Sequence, residues 1–331
     1  MQQEPNFGVI LVNLGTPAEP TTKAVRDYLR EFLSDIRVVD APRWFWWLAL
    51  HGFILRFRPK RLAKLYQAIW TEQGSPLLKF SRALTKAVAA NLKQKSGMDI
   101  PVELAMVYGK PSFTEASKRF REKGIKKLLV VPLYPQYSAT TTAAAFDAFA
   151  KQIAQCPDMP ELMWVRNYYD DPRFIGALAS SVTAHQTEHG KPEMLVMSFH
   201  GIPERYETQG DPYPTECRKT ATALAKKLGL EEHQWVATFQ SRFGREEWVK
   251  PYTDHTVTTL AEKGIKEIAI ISPAFAVDCL ETLEEIKDQV KATYLEAGGS
   301  KFHYIPCLND SPEHVEFFSD LIIEKSNAWK T

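Results

Sequence analysis

The chain states one pattern twice. Arg121-Glu122-Lys123-Gly124-Ile125-Lys126-Lys127 leads into the apolar run 128–133, and Ala261-Glu262-Lys263-Gly264-Ile265-Lys266-Glu267 leads into 268–272. Each reads as a helix end closed at a glycine, followed by a buried strand. The stretches ahead of them match as well: Val12-Asn13-Leu14-Gly15-Thr16-Pro17 is similar to Ser198-Phe199-His200-Gly201-Ile202-Pro203. Two matches in the same order predict two similar halves, 1–165 and 166–310, followed by a terminal helix over 311–331.

Within each half, apolar runs alternate with helical patterns. The runs are 9–13, 102–107, 127–133, 162–165, 194–199, 235–240, 267–272 and 302–305, with helical spacing between them, for example over 215–228 and 279–295. Alternation of this kind predicts an α/β chain with parallel sheets covered by helices. The length of 331 residues fits two domains of roughly 150 residues each. A net charge of +1 gives no general case for nucleic-acid binding. Cys156, Cys217, Cys279 and Cys307 lie far apart, without the close spacing of a zinc or iron–sulfur cassette, and fit reduced thiols in the cytoplasm. The N-terminal stretch Met1-Gln2-Gln3-Glu4-Pro5 is polar and unlike a signal peptide. No uncharged apolar run reaches the ~20 residues that span a bilayer. Neither G-x-G-x-x-G nor a P-loop is present.

The repeat also directs attention to particular residues. His200 corresponds to Leu14, and Glu281 to Thr141. Packing would ask for similar residues in both halves, so ionisable groups confined to the second half point to function. His200 stands where a buried strand ends and Gly201 and Pro203 begin a turn. Ligands of parallel sheets bind at the carboxyl ends of strands, and an imidazole there accepts a proton or a divalent metal. A structural strand-end histidine is the alternative. Glu281, Glu285 and Asp288 share one face at α-helical spacing. Asp278 is placed as an N-cap, and acids in a first turn suit the helix dipole. A row of carboxylates near a histidine also relays protons or passes on a hard cation.

Three further stretches carry chemistry. In Pro132–Thr142 a strand runs into a helix start with Tyr137, Ser138 and three threonines, fit for N-capping or for holding an anion. Residues 42–61 crowd Trp44, Trp46, Trp47, Phe53 and Phe57 among arginines and lysines. That composition suits an interfacial anchor over 44–57, the lip of a pocket for a large apolar ligand, or a buried hairpin. In 239–253, Arg242 and Arg245 stand beside Trp248 and Tyr252 and are suited to pair with substrate carboxylates.

Taken together, LVNLGTP at 11–17, GSPL at 74–77, PLYPQYS at 132–138, SFHGIPERY at 198–206, GDPYPTEC at 210–217, FQSRFGREEW at 239–248 and FAVDCLETLEEI at 275–286 resemble the ferrochelatase family, in its bacterial form, over nearly the whole chain. The resemblance implies two similar Rossmann-like domains with parallel sheets and an active-site cleft between them. It implies a lyase that inserts Fe²⁺ into protoporphyrin IX to form protohaem, the last step of haem biosynthesis. By the same resemblance, His200 and Glu281 are the catalytic and iron-contacting pair, and Asp278 and Glu285 belong to the acidic relay. Leu14, Tyr108, Tyr137, Ser138, Trp248 and Phe275 match pocket positions. Ferrous iron is then substrate, and no tightly bound cofactor is expected. Leu14 stands where some members have Met or Tyr and cannot ligate metal. Val107 precedes Tyr108 where some members have Arg. The cysteine-rich tail that holds a [2Fe–2S] cluster in animal members has no counterpart in 326–331, so no cluster is expected. The expected setting is cytoplasmic, with peripheral membrane contact through 44–57. The alternatives are a chelatase for coproporphyrin or cobalt, or a porphyrin carrier without turnover.

Overall fold

The computed structural model describes residues 6–329 apart from Arg245. The chain groups into two units. The first comprises the residues up to Tyr134, Ser138–Arg166, and the chain from Asp310 on. Its elements are β1 (Phe7–Gly15), α1 (Thr22–Ser34), α2 (Arg43–Ala49), α3 (Leu55–Ile69), α4 (Pro76–Ser96), β2 (Val102–Tyr108), α5 (Phe113–Glu122), β3 (Lys127–Pro132), α6 (Ala144–Ile153) and β4 (Glu161–Trp164). The strands form one parallel sheet in the order β2-β1-β3-β4. β1 lies inside it, with Val9, Ile10, Leu11 and Val12 fully buried. Its near-continuous apolar sequence follows from helices covering both faces.

The second unit comprises Pro135–Tyr137 and Asn167–Asn309. Its elements are α7 (Pro172–His189), β5 (Met194–His200), α8 (Glu204–Thr208), α9 (Tyr213–Leu228), β6 (Trp235–Gln240), α10 (Thr253–Glu262), β7 (Glu267–Ile271), α11 (Lys291–Glu296) and β8 (Lys301–Tyr304). These strands are again parallel, ordered β6-β5-β7-β8. The order is that of the first sheet, strand for strand.

The likeness extends to single bonds. Gly124 and Gly264 both take positive φ. Behind them Ile125 N–H returns to Phe120 O at 3.0 Å and Ile265 N–H to Leu260 O at 3.1 Å, so both helices close in the same Schellman turn. Pro111 O accepts from Met106 N–H at 2.6 Å, and Pro251 O accepts from Phe239 N–H at 2.8 Å. The glycine after the first strand meets the neighbouring strand's carbonyl in both units. A Cβ at Gly15 would lie 1.9 Å from Tyr108 O, and one at Gly201 would lie 2.9 Å from Gln240 O. In both, the helix after the third strand opens with a widened π-helical stretch, Ala139–Ala143 and Glu281–Val290.

The terminal helix α12 (Pro312–Ser326) belongs to the first unit. Lys95 of α4 bonds Glu316 and Asp320 on it. Beyond it, Trp329 is buried with its indole N–H on Glu161 and its ring 5.6 Å from Phe7.

Candidate active site

The second unit assembles most of the residues singled out above. His200 ends the central strand β5, opposite Gln240 at the end of β6. The turn that follows has no room for a side chain at its first residue: a Cβ at Gly201 would also lie 3.1 Å from Trp248 Cε3. The turn is stitched to the loop after β6 by Val249 N–H on Ile202 O and Glu204 N–H on Glu247 O, both at 3.0 Å. His200 Nδ1 lies 2.6 Å from Gly201 O. A carbonyl only accepts, so Nδ1 donates this bond, and in the neutral ring the lone pair is then on Nε2. The imidazole stands between two aromatic rings, with centroids 6.5 Å to Trp248 and 6.4 Å to Phe275. Trp248 is itself fixed by its indole N–H on Phe243 O at 2.9 Å.

A polar chain links β5 to the acids through the end of β6. Ser198 Oγ donates to Gln240 Oε1 at 2.8 Å, and Gln240 Nε2 donates to Glu281 O at 2.9 Å and to Glu285 Oε2 at 3.4 Å. Ser241 takes φ +66, which aims its N–H at Glu285 Oε1 at 2.7 Å, while its hydroxyl donates to Oε2. Burial lifts the Glu285 carboxyl above the usual carboxylate range. The Ser241 hydroxyl and the His200 charge oppose that rise, and the Glu281 charge adds to it. His200, Glu281 and Glu285 therefore share one electrostatic neighbourhood.

The π-helical stretch corrects part of the α-helical reading. Glu284 accepts from Gln289, five residues on, at 2.7 Å, as the wider turn dictates. Asp288 is exposed, while Glu281 and Glu285 are half-buried. Asp278 is not the N-cap, a position taken by Leu280. It is 3% exposed, and its carboxylate accepts from Thr282 Oγ1 at 3.0 Å, Asn309 Nδ2 at 2.7 Å, Cys307 N–H at 3.4 Å and the Tyr304 hydroxyl. Its own N–H donates to Asn309 Oδ1 at 2.8 Å. Asp278 thus ties the start of the acidic stretch to the chain after β8.

Among the other matched positions, Tyr137 belongs to the second unit, its N–H held by Glu216 at 2.7 Å. Leu14, Tyr108 and Ser138 belong to the first. Leu14 is partly buried against the core that contains Tyr108. The Tyr108 hydroxyl donates to Asp35 Oδ2 at 2.8 Å, and burial followed by the Asp35 charge pushes its phenol far up. Ser138 is buried, and its hydroxyl caps Thr140 N–H at 3.1 Å, which is the N-capping role. Arg242 engages protein groups, Asp254 at 3.4 Å and the Tyr252 face at 4.6 Å. Arg245 lies outside the described residues.

Sequence reasoning passed over Gln240, Ser241 and Glu216. The first two sit inside FQSRFG, but their role depends on β5–β6 register and on a positive φ, which no residue type announces. Among the described residues no three His, Cys, Asp or Glu side chains converge as a metal-holding group. The four cysteines are unpaired, three of them buried.

The aromatic stretch is exposed. Trp44, Trp47, Phe53 and Phe57 are 72%, 60%, 70% and 72% accessible, whereas Trp46 is anchored through its indole N–H to Leu33 O at 2.6 Å. Among the described residues no helix is long and apolar enough to cross a membrane.

Comparison with known proteins adds the following. The family model of ferrochelatase matches residues 6–326. Ferrochelatase 1 of Shewanella oneidensis is 50% identical over 325 residues, covering 98% of this chain and 97% of that protein. The ferrochelatases of Aeromonas hydrophila and Vibrio cholerae are 52% and 49% identical, covering 95% and 97% of this chain and 97% and 99% of theirs. Among solved structures, SirB of Bacillus subtilis with Fe³⁺ superposes with a TM-score of 0.55 at 15% identity, over 78% of this chain and 94% of that one. CbiX, the terminal enzyme of sirohaem biosynthesis in denitrifying bacteria, does so at 0.52 and 15%, over 96% and 98%. At such identities these likenesses establish the two-domain chelatase fold.

Proposed function

The chain belongs to the ferrochelatase family, and from that premise we propose that it inserts Fe²⁺ into protoporphyrin IX, with His200 as the acceptor of pyrrole protons. It is a lyase, acting on iron and a porphyrin. The observation that supports the finer reading is the His200 hydrogen bond: Nδ1 donates to Gly201 O, which in the neutral ring leaves Nε2 as the base. A free-base porphyrin gives up two pyrrole protons as the metal enters. His200 Nε2 takes the first proton from a pyrrole nitrogen, passes it toward Glu285, whose burial-raised carboxyl is suited to receive it, and is then free to take the second. Glu281 lies on the same route and contacts iron together with His200. Two side chains make a weak metal site, which suits transfer and opposes retention. Trp248 and Phe275, flanking the imidazole, supply apolar faces for the macrocycle. Asp278 contributes by holding the acidic stretch in place.

We read the exposed aromatics of 44–57, with the basic residues around them, as a peripheral contact with membrane surface, and the enzyme as cytoplasmic. Amphipathic surfaces of this composition sit at lipid interfaces.

The test is a metal-insertion assay following porphyrin absorbance, with Fe²⁺ and Co²⁺ against protoporphyrin and coproporphyrin. Fe²⁺ with protoporphyrin is expected to turn over fastest. A preference for coproporphyrin or cobalt would reassign the substrate, and porphyrin binding without turnover would make the protein a carrier. His200→Ala is expected to lose metallation by at least a hundredfold while still binding porphyrin; unchanged turnover would remove His200 from the mechanism.

A further inference from the structure

The motif Gly210–Cys217 has no place in the scheme above, yet it contains a buried carboxylate. Glu216, in the first turns of α9, is 5% exposed. Its Oε2 accepts from Tyr137 N–H at 2.7 Å and its Oε1 from Asn167 Nδ2 at 2.8 Å. One turn on, Thr220 Oγ1 accepts from Gln136 Nε2 and donates to Tyr169 O, both at 2.9 Å. Two turns of one helix thus hold two separate stretches of chain, 136–137 and 167–169.

The chemistry is matched. A carboxylate only accepts, and a backbone N–H only donates. Burying a charge is costly unless such donors meet it, so a carboxylate kept here has a task. The helix itself does not require it. In the first unit α4 occupies the same place in the strand order, and its first turn has no acid. The asymmetry is the one that separates His200 from Leu14.

We propose that Glu216 is a positioning residue for the porphyrin, acting through Tyr137: it fixes the Tyr137 backbone and thereby where the phenol ring stands. This rests on the reading of Tyr137 as a porphyrin-pocket residue. The carboxylate takes no part in proton transfer; it sets one wall of the pocket.

The experiment measures porphyrin and iron KM for wild type, Glu216→Ala, Tyr137→Ala and the double variant, with a thermal melt of each. Glu216→Ala is expected to raise porphyrin KM about tenfold, the effect of one charge-assisted hydrogen bond, with iron KM within about twofold. In the Tyr137→Ala background the same change is expected to add nothing, because the residue it acts through is gone. Glu216→Gln, which keeps an acceptor for Tyr137 N–H, is expected to stay within about threefold of wild type. If the alanine variant does not fold, Glu216→Met takes its place in the cycle. Unchanged porphyrin KM in Glu216→Ala, full additivity with Tyr137→Ala, or a glutamine variant as impaired as alanine each overturns the proposal. Wild-type protein that inserts no iron would overturn the reaction itself, whereas normal wild-type turnover with an indifferent Glu216 would overturn only this role.

Discussion

Replacing Gly201 by alanine tests the geometry that holds His200. The added methyl would sit 2.9 Å from Gln240 O and 3.1 Å from Trp248 Cε3. The first neighbour is backbone of β6 and cannot swing away. It is also the acceptor of Gly201 N–H at 2.8 Å, so relief comes by stretching that bond and displacing the turn. Overpacking costs about 1–3 kcal/mol, and a weakened buried hydrogen bond adds about 1 kcal/mol. At roughly 2–4 °C per kcal/mol the melting temperature should fall by about 4–16 °C. Rate should suffer more, because a misplacement of about 1 Å at a reacting group costs on the order of a hundredfold. The assays are a thermal melt and the loss of free-base porphyrin absorbance with Fe²⁺. Gly176→Ala is the control. It lies in α7 with nothing within 4 Å of the new methyl, and alanine there should stabilise by about 0.5–1 kcal/mol without touching activity. If Gly201→Ala melts within about 1 °C of wild type and turns over within twofold, the close approach does not position His200 and the reasoning fails.

Further outcomes follow from the titrating groups and the exposed aromatics. Burial raises the Glu285 carboxyl, so the stability tied to its protonated form is complete below about pH 4.3 and is lost as pH rises through the folded-state value. Glu285→Gln should therefore gain in melting temperature relative to wild type as pH goes from 4 to 8, and a flat or falling difference would contradict the assignment. His185 has the opposite sign. Burial lowers it, helped by His189 and His303, while Glu188 pulls the other way and Glu267 bonds His303. Its contribution is present above about pH 6.5 and lost as pH falls, so His185→Gln should flatten the acid limb of the stability curve; an unchanged limb would refute this. Trp44→Glu with Phe57→Glu should weaken cosedimentation with anionic vesicles at least tenfold, since each ring gives up ~1.5–3 kcal/mol of apolar burial; equal sedimentation would leave 44–57 without a lipid role.

Much of the fold was readable because both sheets are parallel and buried, so their strands appear as unbroken apolar runs. The Schellman glycines at 124 and 264 mark the duplication in the sequence itself. What escaped were features set by distant partners. Asp278 looked like a helix cap from its neighbours, but its bonds run to Tyr304, Cys307 and Asn309, which a linear reading cannot bring near. The helical spacing at 281–288 was seen, but not the wider turn that exposes Asp288. His200 was conspicuous because Gly201 and Pro203 mark the turn. Gln240 and Ser241, which bond Glu285, are ordinary residues brought there by strand register and one positive φ.

The widened turn has a bearing on descent. π-helical turns are rare, and here both halves carry one at the start of the same helix. In the first half it is lined by Ala139, Thr140 and Thr141; in the second it bears Glu281 and Glu285. If the halves are copies of one ancestor, the widened turn was there before the copying, and only one copy now carries the acids. The second half then did not remodel its backbone to gain a reactive edge. The two halves differ in the side chains they place on a backbone shape they share.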